Sequence, residues 1–257
     1  MIGFADGWLD PDAWHAIENC VCVHRVPSSN GLARELIEMY FEEGQALHTT
    51  ALIASSQPGA RGRSGRTWAA PEGKGLYLTV VRRAEPGEPL SIVPIAAARW
   101  TAEVLRERTG AAVELKWPND LYARRRKLAG VLAESRTQGD ETYVAVGLGV
   151  NVRGRSDALG VPNATTLEEE TGRTLELAPL LQAVLDRFDR ELAAPKWEQE
   201  VSAWELASLH RPGDRLTIRR NGEDLTGEYL GLDPSGFLRL RTDSGVAIVA
   251  NGEVARW

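Results

Sequence analysis

Three arginines fall within six residues in the run Arg61-Gly-Arg-Ser-Gly-Arg66, and Thr67-Trp68 completes it. No acidic residue lies between Gly59 and Pro71. Guanidinium forks suit the paired oxygens of a phosphate or carboxylate. Glycines let backbone N–H groups approach a ligand and let the loop change shape. The tryptophan offers a flat plate for a base or an apolar ring. In a chain of net charge −6 this segment reads as a local anion site. A solvated basic loop is the plainer alternative, and a nucleic-acid surface is disfavoured because no wider basic and aromatic patch accompanies it.

Three further segments could carry chemistry. In Lys116-Trp-Pro-Asn-Asp-Leu121 a strand delivers Lys116 and Trp117, and Pro118-Asn119-Asp120 then makes a tight turn. Short polar side chains at a strand end are placed for a ligand rather than the core, although an ordinary turn fits equally. In Lys127-Leu-Ala-Gly-Val-Leu-Ala-Glu134 strand alternation puts Leu128, Gly130, Leu132 and Glu134 on one face, with Lys127 opposite. Its small residues leave room for a slender ligand; a buried strand with a solvated lysine is the other reading. In Val146-Gly-Leu-Gly-Val-Asn-Val152, Gly147 and Gly149 share a face. Bare backbone there implies either something packed closely on it or a bulge.

Elements that could position these groups follow from periodicity and punctuation. Residues 1–19 read as an irregular or short helical lead-in. Strands are expected at 20–26, 47–54 and 76–83, with helices at 31–44 and 89–110. Residues 55–75 show neither period. Residues 113–137 form a strand, a turn and a β-ribbon whose tip is Arg124-Arg125-Arg126, and 139–152 return as its hairpin partner. Helices follow at 164–172, 178–194 and 196–208. From Arg211 short strands joined by Asn-Gly, Pro-Ser-Gly and Ser-Gly turns suggest a small SH3-like β-barrel. The expected class is α+β, a mixed sheet packed by helices, with domains at 1–210 and 211–257.

Composition narrows the rest. Residues of the hydrophobic set make up 43% and charged residues 26%, which excludes disorder and fibrous repeats for the whole chain. Net charge −6 gives no global attraction to nucleic acid. No apolar run approaches the roughly 20 residues of a membrane span, and no secretory signal is visible. Cys20 and Cys22 are expected on opposite faces of a strand, poor geometry for a disulfide, and no zinc spacing accompanies them. A reducing, cytoplasmic setting is expected. The four histidines form no ligand spacing.

RGRSGRTW, KWPNDL, KLAGVLAE and VGLGVN, in this order, resemble the biotin protein ligases over roughly residues 22–257. The resemblance implies a ligase of the type without a DNA-binding domain. Only 27 residues precede Ser28, and they are acidic, so a winged-helix DNA reader is not expected. It implies activation of biotin by ATP and Mg²⁺ to biotinyl-5′-AMP. Transfer to a lysine of a biotin carboxyl carrier protein or domain would follow. No DNA or membrane partner is implied, and a homodimer and a monomer both remain open. A lipoate or octanoate ligase and a non-catalytic biotin-binding paralogue are the alternatives.

Residue by residue, the resemblance assigns biotin to Ser28, Ser29, Asn30, Gln57, Ala60, Arg61, Lys127, Gly130 and Gly147. ATP or the adenylate falls to Arg63, Arg66, Trp68, Lys116, Asn119 and Asn151. Catalytic roles go to Arg63, Arg66, Lys127 and Asp120, and no protein metal ligand is implied, since phosphates would hold the Mg²⁺. One departure stands out. Family members usually carry glycine where this chain has Ala60. If that position needs positive φ or a close backbone approach, the added methyl crowds biotin and weakens its binding, and glycine there would tighten it.

Overall fold

The structure is a computed structural model and describes residues 2–4, 7–220 and 222–257. The chain opens with a small hairpin, β1 (Ile2–Phe4) and β2 (Gly7–Leu9), where the sequence suggested an irregular or helical lead-in. Residues 15–17 are then tied to the body of the fold. Backbone N–H groups of His15, Ala16 and Ile17 all donate to Asp189 Oδ1, at 2.7 to 2.9 Å.

Seven strands form the main sheet: β3 (Asn19–Arg25), β4 (Thr50–Ser56), β5 (Gly75–Arg83), β6 (Val113–Lys116), β7 (Asp120–Ala123), β8 (Arg126–Gln138) and β9 (Glu141–Asn151). Their order is β3-β4-β5-β9-β8-β7-β6, and only β3 and β4 are parallel, so the sheet is mixed. One face carries α1 (Ser29–Glu43), capped at its start by the Ser28 hydroxyl and stopped by Gly44 at φ 65°. Ala33 and Ile37 of α1 pack there on Leu52, Val81, Tyr143 and Ala145. The other face carries α2 (Val93–Thr109), α4 (Leu177–Ala193) and α5 (Trp197–Leu206). Trp100, Phe188 and Trp204 are buried among them. The short α3 (Leu167–Thr171) follows the loop that leaves β9.

Two expectations about strand faces are corrected. Cys20 and Cys22 share a face, because residues two apart on a strand point the same way. A hydrogen bond between the two thiols holds the Cys20 thiol above its ordinary pKa, with burial adding to it. Lys127 and Gly130 also share a face, although simple alternation opposes them. Leu121 pairs with Ala129, but Tyr122 pairs with Lys127, so Leu128 is an extra residue in β8. Such a bulge re-aims the side chains beyond it.

The chain ends in β10 (Arg215–Arg220), β11 (Glu223–Leu232), β12 (Leu238–Thr242), β13 (Gly245–Val249) and β14 (Glu253–Arg256). They form an antiparallel sheet in the order β13-β12-β11-β10-β14. With β13 and β14 as separate edges, the sheet is open rather than a closed barrel, which remains compatible with an SH3-like fold. It docks on the main body through Trp117 Nε1, which donates to the Gly236 carbonyl at 3.0 Å. Glu205 accepts from Leu232 N at 2.7 Å in the same interface. No helix among the described residues is long and apolar enough to cross a membrane.

Candidate active site

A cavity of about 270 Å³ opens on the α1 face of the main sheet. The arginine segment lies over it as a flap. Its floor is β8 and β9, one wall is the 159–164 loop, and Glu253 of β14 stands at the rim. Of the residues to which the resemblance assigns a role, all but Lys116 line this space.

The inner end is polar and closely wired. Ser29 N donates to Gln57 Oε1 at 2.8 Å, and Thr79 Oγ1 lies 2.7 Å from both Ser29 Oγ and Asn30 Oδ1. Asn30 Nδ2 donates to Glu134 Oε2 at 2.8 Å and to the Leu132 carbonyl at 3.1 Å. These groups stand at the N-terminus of α1, and the chain can put them there because β9 carries glycine opposite. A Cβ on Gly147 would overlap Asn30 Oδ1. The two glycines of β9 therefore mark a closely covered strand; no bulge interrupts β9 there.

Trp68 covers the second glycine. A Cβ on Gly149 would lie 2.5 Å from Trp68 Nε1, and one on Gly130 would lie 3.6 Å from the same indole. Lys127 Nζ stands 5.6 Å from the indole centroid, within cation–π range. Trp68 Nε1 is buried without a hydrogen-bond partner among the described residues. Ala60 belongs to this layer, its methyl packed with Ala70, Tyr77 and Trp68. Among the described residues the left-handed non-glycine ones are Arg124, Arg125 and Asn163, so Ala60 does not adopt the positive φ that would have required glycine.

The outer end is charged. Lys127 Nζ is 2.7 Å from Asp120 Oδ1, a pairing made possible by the bulge at Leu128. Arg66 Nη1 meets Glu253 Oε1 at 2.6 Å, and Arg63 Nη1 donates to the Gly252 carbonyl at 3.1 Å. Burial pulls the Arg63 guanidinium below its ordinary pKa, with Asp120 and Glu253 opposing and Arg66 reinforcing. Burial alone would raise the Glu253 carboxyl, but Arg66, Lys116 and Lys127 hold it below the usual range. An exposed cationic flap, two carboxylates and one strand lysine thus face a common space. An anionic ligand entering there would compete with the carboxylates for the same donors.

Lys116 is 3% exposed and lies behind this space rather than in it. Its Nζ sits 3.9 Å from the Trp257 ring centroid and 3.3 Å from Tyr122 Oη. Asn119 and Asn151 are buried at the cavity edge, held by the Val131 and Thr165 carbonyls. Sequence reasoning missed Tyr122, Thr79 and Glu253, which touch the site. Tyr122 was findable, being two residues beyond Asp120 on a strand. Nothing local marks Glu253, which comes from the far end of the chain.

Residues 28–151, which carry the flap, the Lys116–Asp120 turn and both glycine strands, match the biotin/lipoate A/B protein ligase family. Residues 213–257 match the biotin protein ligase C-terminal domain. The biotin--[acetyl-CoA-carboxylase] ligase of Paracoccus denitrificans is 34% identical over 215 residues, 79% of this chain and 88% of that protein. The chain belongs to the biotin/lipoate A/B protein ligase family. Another relative, the bifunctional ligase/repressor BirA of Escherichia coli, is 33% identical over 224 residues, 82% of this chain and 68% of that protein. Among solved members, biotin protein ligase from Aquifex aeolicus in complex with biotin and ATP shares the fold. Its TM-score is 0.73 at 28% identity, over 93% of this chain and 98% of that one.

Proposed function

We infer that the chain is an ATP-dependent biotin protein ligase, which activates biotin as biotinyl-5′-AMP and passes the biotinyl group to a lysine of a carboxylase's biotin carrier. One observation carries the reading. A single cavity has a hydrogen-bonding end at Ser28, Ser29, Asn30 and Gln57, and a cationic end at Arg63, Arg66 and Lys127, joined by a narrow floor over Gly130 and Gly147. That shape suits an elongated acid with a polar ring at one end and a carboxylate at the other.

A carboxylate is ionised at neutral pH and needs no base to attack phosphorus. It needs shielding from the triphosphate and alignment with it. Arg63, Arg66 and Lys127 supply the shielding, and a Mg²⁺ ion held by the nucleotide phosphates would add positive charge to it. The carboxylate oxygen attacks the α-phosphorus, the bond to the β-phosphate bridge breaks, and pyrophosphate leaves. Trp68, Asn119 and Asn151 hold the adenine side. Flap closure keeps the mixed anhydride from water. The carrier amine, with an ordinary pKa near 10.4, must lose a proton before attacking the acyl carbon. Asp120, 2.7 Å from Lys127, orients that amine and takes the proton, and AMP departs. The division at 210/211 rests on α5 ending at Leu206 and the second sheet beginning at Arg215. The cytoplasm, where ATP and carboxylases meet, is the setting this chemistry requires.

The test is incubation with MgATP, an apo carrier domain and equimolar biotin and lipoate, read by intact mass. A single biotinyl increment is expected. A lipoyl increment, or none with an active control ligase beside it, overturns the reading.

A further inference from the structure

Lys116 does not line the cavity, yet its one hydrogen-bonded side-chain partner among the described residues does. Lys116 and Asp120 pair across the β6/β7 turn, and Tyr122 follows two residues on, on the same face as Asp120. An ammonium has only hydrogens to offer, so at 3.3 Å Lys116 Nζ is the donor and Tyr122 Oη the acceptor. The phenol's own hydrogen must then point elsewhere. Among the described residues no protein oxygen or nitrogen takes it, and Tyr122 lines the cavity. Trp257 seals the arrangement from behind. Its ring lies against Lys116 Nζ and meets Tyr122 edge-on, with centroids 5.9 Å apart at 87°.

Resting on the ligase reading above, we propose that Tyr122 is a catalytic residue that donates its phenolic hydrogen to the reacting phosphoryl group. Lys116 acts through it as a positioning residue, loading the same oxygen from behind. The pair carries a buried positive charge to the substrate without bringing an ammonium into the chamber. A hydrogen bond polarised by a cation is stronger than a neutral one, and in a dry site it needs no reorganisation as charge develops. The arrangement also accounts for a lysine at 116 that the substrate cannot reach.

Lys116 must stay protonated for this, and its surroundings bring the protonation into the working range. Burial lowers its pKa to about 8; Asp120 and Glu253 oppose that, while Lys127 and Arg66 add to it. Of the remaining neighbours, Arg125 stacks on Trp257 at 5.3 Å, and His210 is neutral at pH 7 because burial lowers it to about 4. The rate of activation should therefore fall as pH rises through about 8.

The experiment is biotin-dependent ATP–pyrophosphate exchange by the full chain. Tyr122→Phe, which removes one oxygen, should lower kcat roughly 10- to 100-fold with the KM for biotin within about twofold. Lys116→Met should cost a similar factor alone and little more in the Tyr122→Phe background, since the two act in series. The alkaline fall near pH 8 should vanish in Tyr122→Phe. Wild-type kcat in Tyr122→Phe, or an equal Lys116→Met penalty in both backgrounds, overturns the proposal. If Lys116→Met does not fold by circular dichroism, the pH profiles of wild type and Tyr122→Phe decide alone. Absence of exchange in the wild type would instead overturn the ligase reading.

Discussion

Arg66 Nη1 and Glu253 Oε1 stand 2.6 Å apart, so the flap over the main sheet is fastened to the last strand of the C-terminal sheet. Arg63 strengthens the fastening through the Gly252 carbonyl. Both members of the ion pair are about half exposed, which limits its value to about 1 kcal/mol or less. The fastening is therefore weak enough for a triphosphate to break. Glu253 also adds a negative charge at the rim of the cavity, where phosphates would enter on the proposed reading. Glu253→Gln should accordingly lower the KM for ATP about two- to fivefold at low salt, a gain that shrinks by 0.5 M salt. Steady-state kinetics at two ionic strengths measures it; a raised KM at low salt would show that the strap assists binding.

Lys127 is the strand cation nearest the floor, and it neutralises Asp120. Truncating it removes positive charge from the phosphoryl site and leaves Asp120 facing the phosphates alone. Lys127→Ala should cut adenylate formation by about two to three orders of magnitude. Lys127→Arg should rescue little, since the guanidinium fork is longer and planar. Pyrophosphate release under single-turnover conditions is the measurement, and near-normal rates in Lys127→Ala would contradict charge shielding.

Much of this architecture is legible in the chain because periodicity and punctuation agree with the final packing. Gly44 and Gly110 stop helices where the sequence places stops, both at positive φ. The flap, the turn and the glycine strand announce themselves because clustered arginines, short polar side chains and paired glycines break the pattern of an ordinary strand, and they line one cavity. What was hidden falls into two kinds. Leu128 looks like any strand leucine, and the extra residue it adds is visible only in the pairing with β7, so the face of Lys127 was misjudged. Lys116 belongs to a recognisable motif but is cut off from the cavity by Tyr122 and Trp257, the second of which lies 141 positions away in the chain. Side-chain alternation governs neighbours on a strand and says nothing about such distant partners.

Gly149 is covered by Trp68 so closely that a methyl would lie 2.5 Å from Nε1 and 2.6 Å from Cε2. The indole nitrogen has no hydrogen-bond partner among the described residues, so no such bond holds the ring when it is pushed. Gly149→Ala should displace Trp68, raise the KM for ATP by about tenfold, and change the KM for biotin less than threefold. Equal effects on both substrates would mean that the indole serves the whole cavity rather than its nucleotide end.

Ala60 offers a test of the departure from the family glycine. Its methyl fills a small apolar layer with Ala70, Tyr77 and Trp68, and its backbone is not left-handed. Ala60→Gly loses that packing and adds chain entropy in the unfolded state, together about 1 kcal/mol. A lower melting temperature is expected, with biotin affinity by calorimetry within about twofold of wild type. Markedly tighter biotin binding would show that the methyl does crowd the ligand.

His210 lies between α5 and β10 in the chain, 2% exposed, edge-on to Trp257 at 5.7 Å and to Tyr229 at 6.3 Å. Neither ring nitrogen has a hydrogen-bond partner among the described residues. Burial lowers its pKa to about 4, and the cations Lys116, Arg125 and Arg211 push the same way. In the unfolded chain the imidazole takes its proton near pH 6.5, well before the folded one does. Between those values the unfolded state binds more protons, so stability rises with pH across the window and is lost as pH falls through it. The contribution is on the order of 3 kcal/mol if burial is complete. His210→Phe keeps the aromatic packing and removes the titration, so its melting temperature should fall less than that of wild type between pH 7 and pH 4.5. Because Glu253 and other carboxylates weaken both proteins alike, the difference between the two curves isolates the histidine. Parallel curves would mean that the imidazole is charged, or solvated, in the native fold.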